Sequence, residues 1–184
     1  MYDSKNLIYL FTMLECCEKA WIYTNDFLNP VDFIWANEQK ELNATISLFI
    51  AIGEESKKIE ISLKNAIILD LSWSDIAGLR DKISHDYRGV DANILWSVIH
   101  KDLPKLKLAL IDMINLINPP KELLIEILNT PYYKHLQYLY EIPGTNSGDS
   151  IPNYYIITLL HYYIITLLHY YIITLLIFIF YLWS

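Results

Sequence analysis

Cysteine is scarce in this chain: only Cys16 and Cys17 are present among 184 residues, and they are neighbours. Neighbouring cysteines do not form an ordinary structural disulfide, and neither has a histidine close in sequence that would activate it. Two reduced, packed thiols in a cytosolic protein are therefore expected. The start of the chain also lacks an uninterrupted apolar stretch, because Asp3, Lys5 and Glu15 divide it, so no signal peptide is expected.

Basic residues are outnumbered by acidic ones. The chain has 14 Lys and Arg against 21 Asp and Glu, which gives a net charge of −7. Proteins that coat nucleic acid without specificity need a broad basic face, so this class is excluded. A small basic site remains compatible with the sequence, because five basic residues lie close together in it: Lys57, Lys58, Arg80, Lys82 and Arg88.

Charged residues are absent from the C-terminal end. Residues 150–184 contain no Asp, Glu, Lys or Arg, and residues 154–177 consist of an eight-residue unit, YYIITLLH or YYIITLLI, in three copies. About 30 uncharged residues would form a helix of about 45 Å, which exceeds the bilayer core of about 30 Å. The same composition also favours β-aggregation. His161 and His169 are interpreted as passengers of the repeat and not as metal ligands.

Apolar residues recur with helical spacing along the first 118 residues. Segments 3–24 and 37–59 each carry an apolar side chain at every third or fourth position. A further helix is expected to begin at Ser72 or Ser74, whose side chains can cap it. The pattern predicts an all-α fold, a bundle of four to five helices joined by short links.

Several residues predict where these helices begin and end. Asn29 and Pro30 form a typical start, and Asp91 can cap a helix that begins at residue 92. Pro104 is expected to break or kink that helix after Leu103, because a proline disrupts the helical turn that precedes it.

Three regions follow from these boundaries. Residues 1–118 are predicted to form the helical domain, since Asn-Pro-Pro at positions 118–120 is a strong helix stop. Residues 119–153 are predicted to contain one short helix and a linker. Residues 154–184 form a low-complexity repeat tail that is long enough for a transmembrane helix.

The most charged stretch of the chain is AGLRDKISHDYRGVD, residues 77–91. RNA cleavage without a metal needs a base, an acid and a cation, and histidine and arginine suit these tasks. On an ideal helix, however, Arg80 and His85 diverge by about 140°, whereas Arg80 and Tyr87 lie within about 20° of each other. Either the helix loosens near His85, or a second subunit completes the site, or the stretch is simply a solvated helix end.

The stretch IAGLRDKISHDYRGVD, followed by ILWSVIHKDLPKLK, resembles the HepT family of HEPN-domain toxins over roughly residues 4–117. The R-x-x-x-x-H-x-Y motif of that family is matched by Arg80, His85 and Tyr87. The preceding LSWSDIAGLR resembles another family element, with Leu71 where proline is common. The segment IGEESKKI, residues 52–59, resembles a family helix and places Glu54 at its acidic position.

This resemblance implies an all-helical homodimer whose two motifs meet in an interface cleft and cleave RNA without a metal or cofactor. In that site Arg80 would hold the scissile phosphate and His85 would carry the proton. Asp81 would orient its neighbours as a third catalytic-site residue, and Glu54 and Lys82 are candidate supporting residues.

The resemblance also implies a partner. Tyr87 matches the tyrosine to which an MntA-like minimal nucleotidyltransferase antitoxin adds AMP, and this addition would block the cleft by bulk and negative charge. The chain would then be the toxin of a type VII-like toxin–antitoxin system in the cytoplasm. Two alternatives remain: a non-catalytic HEPN-like dimer that only binds a nucleotidyltransferase, and a small tail-anchored membrane protein attached through residues 154–183.

Overall fold

The computed structural model describes residues 2–69, 71–78 and 91–141, so the motif at 80–87 and the repeat tail lie outside the described residues. The described residues up to Tyr140 form one compact unit, and none of them lies in a β-strand. This confirms the predicted all-α class. The α-helices are α1 (Lys5–Ile22), α2 (Pro30–Trp35), α3 (Lys40–Lys58), α4 (Ile61–Asn65), α5 (residues 73–78), α6 (Ala92–Ser97), α7 (Leu103–Ile117) and α8 (Lys121–Leu128).

Helix α1 is the centre of the bundle. It packs against both α3 and α7, and it is apolar on most of its circumference. Leu10, Phe11 and Leu14 are completely buried. A helix that is apolar on most sides is stable only when neighbours cover those sides, which explains why α1 lies between other helices and not at their edge.

Helix α2 begins where the sequence predicts. The Asn29 side-chain oxygen accepts a hydrogen bond from the Asp32 backbone N–H at 3.0 Å, and Pro30 occupies the first turn. Phe33 is completely buried, and its ring centroid lies 5.9 Å from that of Trp96. The cap therefore fixes the position at which this short helix docks on the helix that follows the motif.

Helix α3 begins at Lys40, three residues later than the predicted 37–59 segment. Asn37, Glu38 and Gln39 all have positive φ angles, of 45°, 55° and 68°. A left-handed conformation is incompatible with a right-handed helix, so residues 37–39 form a turn. The apolar pattern alone therefore predicts the start of this helix three residues too early.

The helix that begins at Ala92 does not break after Leu103, but its regular hydrogen bonding changes just before this residue. A π-helical turn (Val98–Asp102) joins α6 to α7, and the Leu103 N–H donates to the Val98 carbonyl, five residues back. Pro104 lies in the first turn of α7. Because proline has no N–H and its ring crowds the carbonyl four residues before it, a wider turn allows the helix to pass this point.

Helix α7 ends at the predicted stop, within a compact unit that continues to Tyr140. Asn118 adopts the left-handed conformation with φ 51° and ends α7, and the predicted short helix is observed as α8. A 3₁₀-helical segment follows at Pro131–Glu141, which we call the strap. No helix among the described residues combines the length and apolar character needed to cross a membrane, and the repeat tail is not among those residues.

Candidate functional site

The predicted site residues Arg80, Asp81, Lys82, His85 and Tyr87 lie outside the described residues, so their roles stay predictions. The structure does describe the chain on both sides of them. Helix α5 leads into the motif, and it begins as expected with the Asp75 N–H donating to Ser72 Oγ at 3.3 Å.

Helix α6 follows the motif directly, and its start is well defined. The Asp91 carboxylate accepts hydrogen bonds from the Asn93 N–H at 2.7 Å and from the Ile94 N–H at 3.4 Å. These bonds satisfy two N–H groups that have no partner within the helix, and the negative charge interacts favourably with the helix dipole. Asp91 thus fixes the point at which the chain leaves the motif.

Replacing Asp91 with alanine should lower the free energy of unfolding by about 1 kcal/mol, because the cap of α6 is lost. Asp91→Asn is the matched control, since the asparagine oxygen can accept the same bonds. Urea unfolding followed by circular dichroism measures both. Equal stability of the two variants would contradict the capping role.

Glu54, the candidate supporting residue on α3, lies at the protein surface. Its carboxylate is 3.4 Å from the Lys57 Nζ, and both side chains are about two-fifths exposed. One residue further along, Glu55 pairs in the same way with Lys58 at 2.7 Å. Pairs of this kind, three residues apart on an exposed helix, contribute little to stability. The supporting role of Glu54 stays a prediction.

Two tryptophans near the motif are half-buried and packed against neighbours. The Lys64 ammonium lies 5.5 Å from the centroid of the Trp73 ring at the start of α5. The Trp96 ring lies 4.1 Å from the His100 ring, and His100 Nδ1 donates to the Trp96 carbonyl at 2.9 Å. These contacts place both indoles within the packing of the fold.

A buried polar cluster that no sequence pattern predicts lies between α1 and the strap. The Glu15 side chain is completely buried, and its Oε1 accepts from His135 Nδ1 at 2.5 Å and lies 3.2 Å from the Lys19 Nζ. The second oxygen of Glu15 is buried without a hydrogen-bond partner among the described residues. Histidine and carboxylate here come from positions 120 residues apart, so no local pattern predicts the pair.

One turn further along α1, a second carboxylate is held in the same way. Glu18 Oε1 lies 2.6 Å from the Lys107 Nζ of α7 and accepts from the Tyr138 hydroxyl at 2.6 Å. The Lys107 ammonium also lies 4.8 Å from the centroid of the Tyr138 ring. One signal was available in the sequence: Lys107 occupies a position of the apolar stripe that contains Leu103 and Leu110, where a charged residue needs a buried partner.

The two cysteines are buried and free, as the sequence predicts. Burial raises the pKa of the Cys16 thiol from 9.0 to about 11 and raises the pKa of Cys17 as well. Because a thiolate is the reactive form, these thiols are unreactive in the folded protein at neutral pH.

The raised thiol pKa values predict that stability falls at alkaline pH. Above pH 9 the unfolded chain loses a proton from Cys16 that the folded chain keeps up to about pH 11. Deprotonation therefore favours the unfolded state in this window, and at pH 11 the loss approaches about 3 kcal/mol. Urea unfolding between pH 8 and 11 should show a steeper decline in the wild type than in Cys16→Ala. An identical decline in both proteins would contradict the prediction.

The described residues offer no other strong chemical site. No three acidic, histidine or cysteine side chains in this part of the chain lie close enough together to hold a metal ion. A groove of about 520 Å³ is lined by residues 66–69 and by Asp112, Asn115 and Leu116 of α7, and its surface is mainly apolar.

Known proteins are similar to this chain over its helical region. The model of the family described as "Ribonuclease HepT-like" matches residues 13–113. A Thermococcus cleftensis protein named "Probable ribonuclease HepT" is 37% identical over 99 residues, which cover 54% of this chain and 86% of that protein. A Methanocaldococcus jannaschii protein with a "Putative RNase" name is 29% identical over 99 residues, which cover 54% of this chain and 87% of that protein.

No solved structure matches the chain significantly. The family match nevertheless spans more than half of the chain, from the middle of α1 to near the end of α7, and it contains the whole Arg80–Tyr87 motif. On this match and on its all-helical fold, the chain belongs to the HepT-like ribonuclease family of the HEPN superfamily.

Proposed function

We propose that this protein is a metal-independent endoribonuclease and the toxin of a two-component toxin–antitoxin system in the cytoplasm. The observation that carries the proposal is the Arg80, His85 and Tyr87 motif within a chain of the HepT-like ribonuclease family. The described helices support it, because the described part of α5, residues 73–78, precedes the motif, α6 follows it, and the Asp91 cap fixes the start of α6.

The proposed chemistry is a transesterification within the RNA backbone. A histidine removes the proton of a ribose 2′-hydroxyl, and the 2′-oxygen attacks the adjacent phosphorus. The bond from phosphorus to the 5′-oxygen breaks, a second acid protonates that oxygen, and a 2′,3′-cyclic phosphate remains. Arg80 neutralises the charge that develops on the phosphate, because its guanidinium can contact two oxygens at once.

The second proton-transfer group is assigned to the partner of a homodimer. A two-fold axis would place His85 of each protomer in one cleft, so that one histidine acts as base and the other as acid. This arrangement also removes the geometric problem of a single straight helix, on which Arg80 and His85 point about 140° apart.

The proposed control is the transfer of AMP to Tyr87 by a minimal nucleotidyltransferase antitoxin. The tyrosine oxygen attacks the α-phosphorus of ATP, pyrophosphate leaves, and the phenol proton passes to a base on the transferase. The added phosphate places negative charge two residues from His85, where it repels the RNA backbone.

The experiment that tests this function uses the purified full-length chain with a defined RNA in the presence of EDTA. Cleavage that leaves 2′,3′-cyclic phosphate ends is the expected result, and co-expression with the nucleotidyltransferase should abolish it while raising the mass of the Tyr87 peptide by one AMP. A dimer that binds the transferase but leaves RNA intact would instead identify the chain as a non-catalytic binding module.

A further inference from the structure

The strap lies along α1 in parallel, with its side chains in register with those of the helix. The Tyr133 hydroxyl lies 3.3 Å from Thr12 Oγ1, His135 binds Glu15, and Tyr138 binds Glu18. Residue numbers rise in the same direction along both segments. Glu15 and Glu18 are three residues apart, as are their partners His135 and Tyr138. Each acidic side chain of this α1 face therefore meets one donor of the strap.

Apolar residues close the strap over the same face. Leu136 is completely buried and Leu139 is 2% exposed. The Tyr132 ring lies over the Lys19 ammonium, 4.9 Å from its centroid, and Tyr132 is close enough to Cys16 for the two to interact electrostatically. Cys16 itself is only 4% exposed. The strap thus shields a thiol and the carboxylate of Glu15 from water.

The position of the strap against α1 leaves one buried polar atom unsatisfied. Glu15 Oε2 is buried without a hydrogen-bond partner among the described residues, and an unsatisfied buried acceptor opposes folding. Opening the strap would hydrate this oxygen and recover that energy. The rest of the bundle does not depend on the strap in the same way, because α1 packs separately on α3 and α7.

We propose that the strap is a latch, which opens locally from α1 while the helical bundle stays folded and thereby hydrates Glu15 and exposes Cys16. The family match ends at residue 113, so the strap lies beyond the matched region, whereas Glu15, Cys16 and Glu18 lie within it. Prolines at positions 119, 120 and 131 separate α7, α8 and the strap, so the strap is not a continuation of the helix before it.

Thiol labelling in the full-length chain tests this latch. Cys17→Ala leaves Cys16 as the only thiol, and Cys16→Ala leaves Cys17, which is buried on α1 near Lys107 of α7. Ellman's reagent is added at pH 8 in increasing urea, below the unfolding transition. We expect labelling of Cys16 to depend weakly on urea, and labelling of Cys17 to show the steep dependence of global unfolding. Equal urea dependence for both thiols would overturn the proposal.

Substitutions in the latch give a second, independent readout. In the Cys17→Ala chain, His135→Ala should raise the labelling rate of Cys16 at least tenfold while its urea dependence stays weak. Tyr138→Phe removes only one hydroxyl and should act in the same direction, which covers the case in which His135→Ala does not fold. Tyr140→Phe is the matched control, because that hydroxyl binds Asn129 and not α1, and it should leave the rate unchanged. If Tyr138→Phe and Tyr140→Phe label at the same rate, the latch does not exist.

Discussion

RNA cleavage should fall at least 100-fold when His85 is replaced by alanine. The imidazole is the group proposed to move the proton, and positioned general acid–base catalysis contributes about 10²- to 10⁴-fold to a rate. In a homodimer both the base and the acid are lost together, which moves the expected effect toward the upper part of this range. Initial rates of cleavage of a fluorescent RNA, measured with excess EDTA, give the comparison.

Two further variants make the His85 result specific. His161→Ala removes a histidine of the repeat tail and should leave the rate unchanged, because that residue is interpreted as part of a duplicated segment. Arg80→Lys keeps the positive charge but loses the fork that contacts two phosphate oxygens, so it should retain more activity than Arg80→Ala. Full activity of both His85→Ala and Arg80→Ala would refute the proposed site.

Short-range features of this fold could be predicted from sequence, because each depends on a few neighbouring residues. Asn29 and Asp91 bind N–H groups two or three residues further on, so their roles as caps follow from residue type and position alone. The effect of Pro104 could not be predicted in the same way. Whether a proline breaks a helix or is passed by a π-turn depends on how strongly the helices on either side are held by the bundle.

The contacts between the strap and α1 could not be predicted, because they join residues far apart in the sequence. His135 and Tyr138 come from a segment predicted to contain only a short helix and a linker, and their carboxylate partners lie 120 residues earlier in the chain. Their pairing depends on the path of the chain between them, which local patterns do not encode. For the candidate site the order is reversed: its residues were identified by residue type and by resemblance to a family motif, while its geometry depends on residues outside the described part of the chain.

The Lys107–Glu18 pair shows why a charged residue within an apolar stripe matters. The two side chains are 8% and 13% exposed, and their charged atoms lie 2.6 Å apart. Water screens such a pair poorly, so removal of one partner leaves a buried charge without its counter-ion. The pair joins α1, in which the family-matched region begins, to α7, in which it ends.

Lys107→Met should therefore lower the free energy of unfolding by about 3 kcal/mol, although methionine preserves most of the volume of the lysine stem. The matched control is Lys105→Met on the same helix, whose pair with Asp102 is exposed and long at 3.8 Å, and which should change stability by less than about 0.5 kcal/mol. Combining Lys107→Met with Glu18→Gln should recover part of the loss, because no unpaired charge then remains buried. Urea unfolding measures all three variants. If the two single lysine variants are equally stable, the buried pair does not hold α1 to α7.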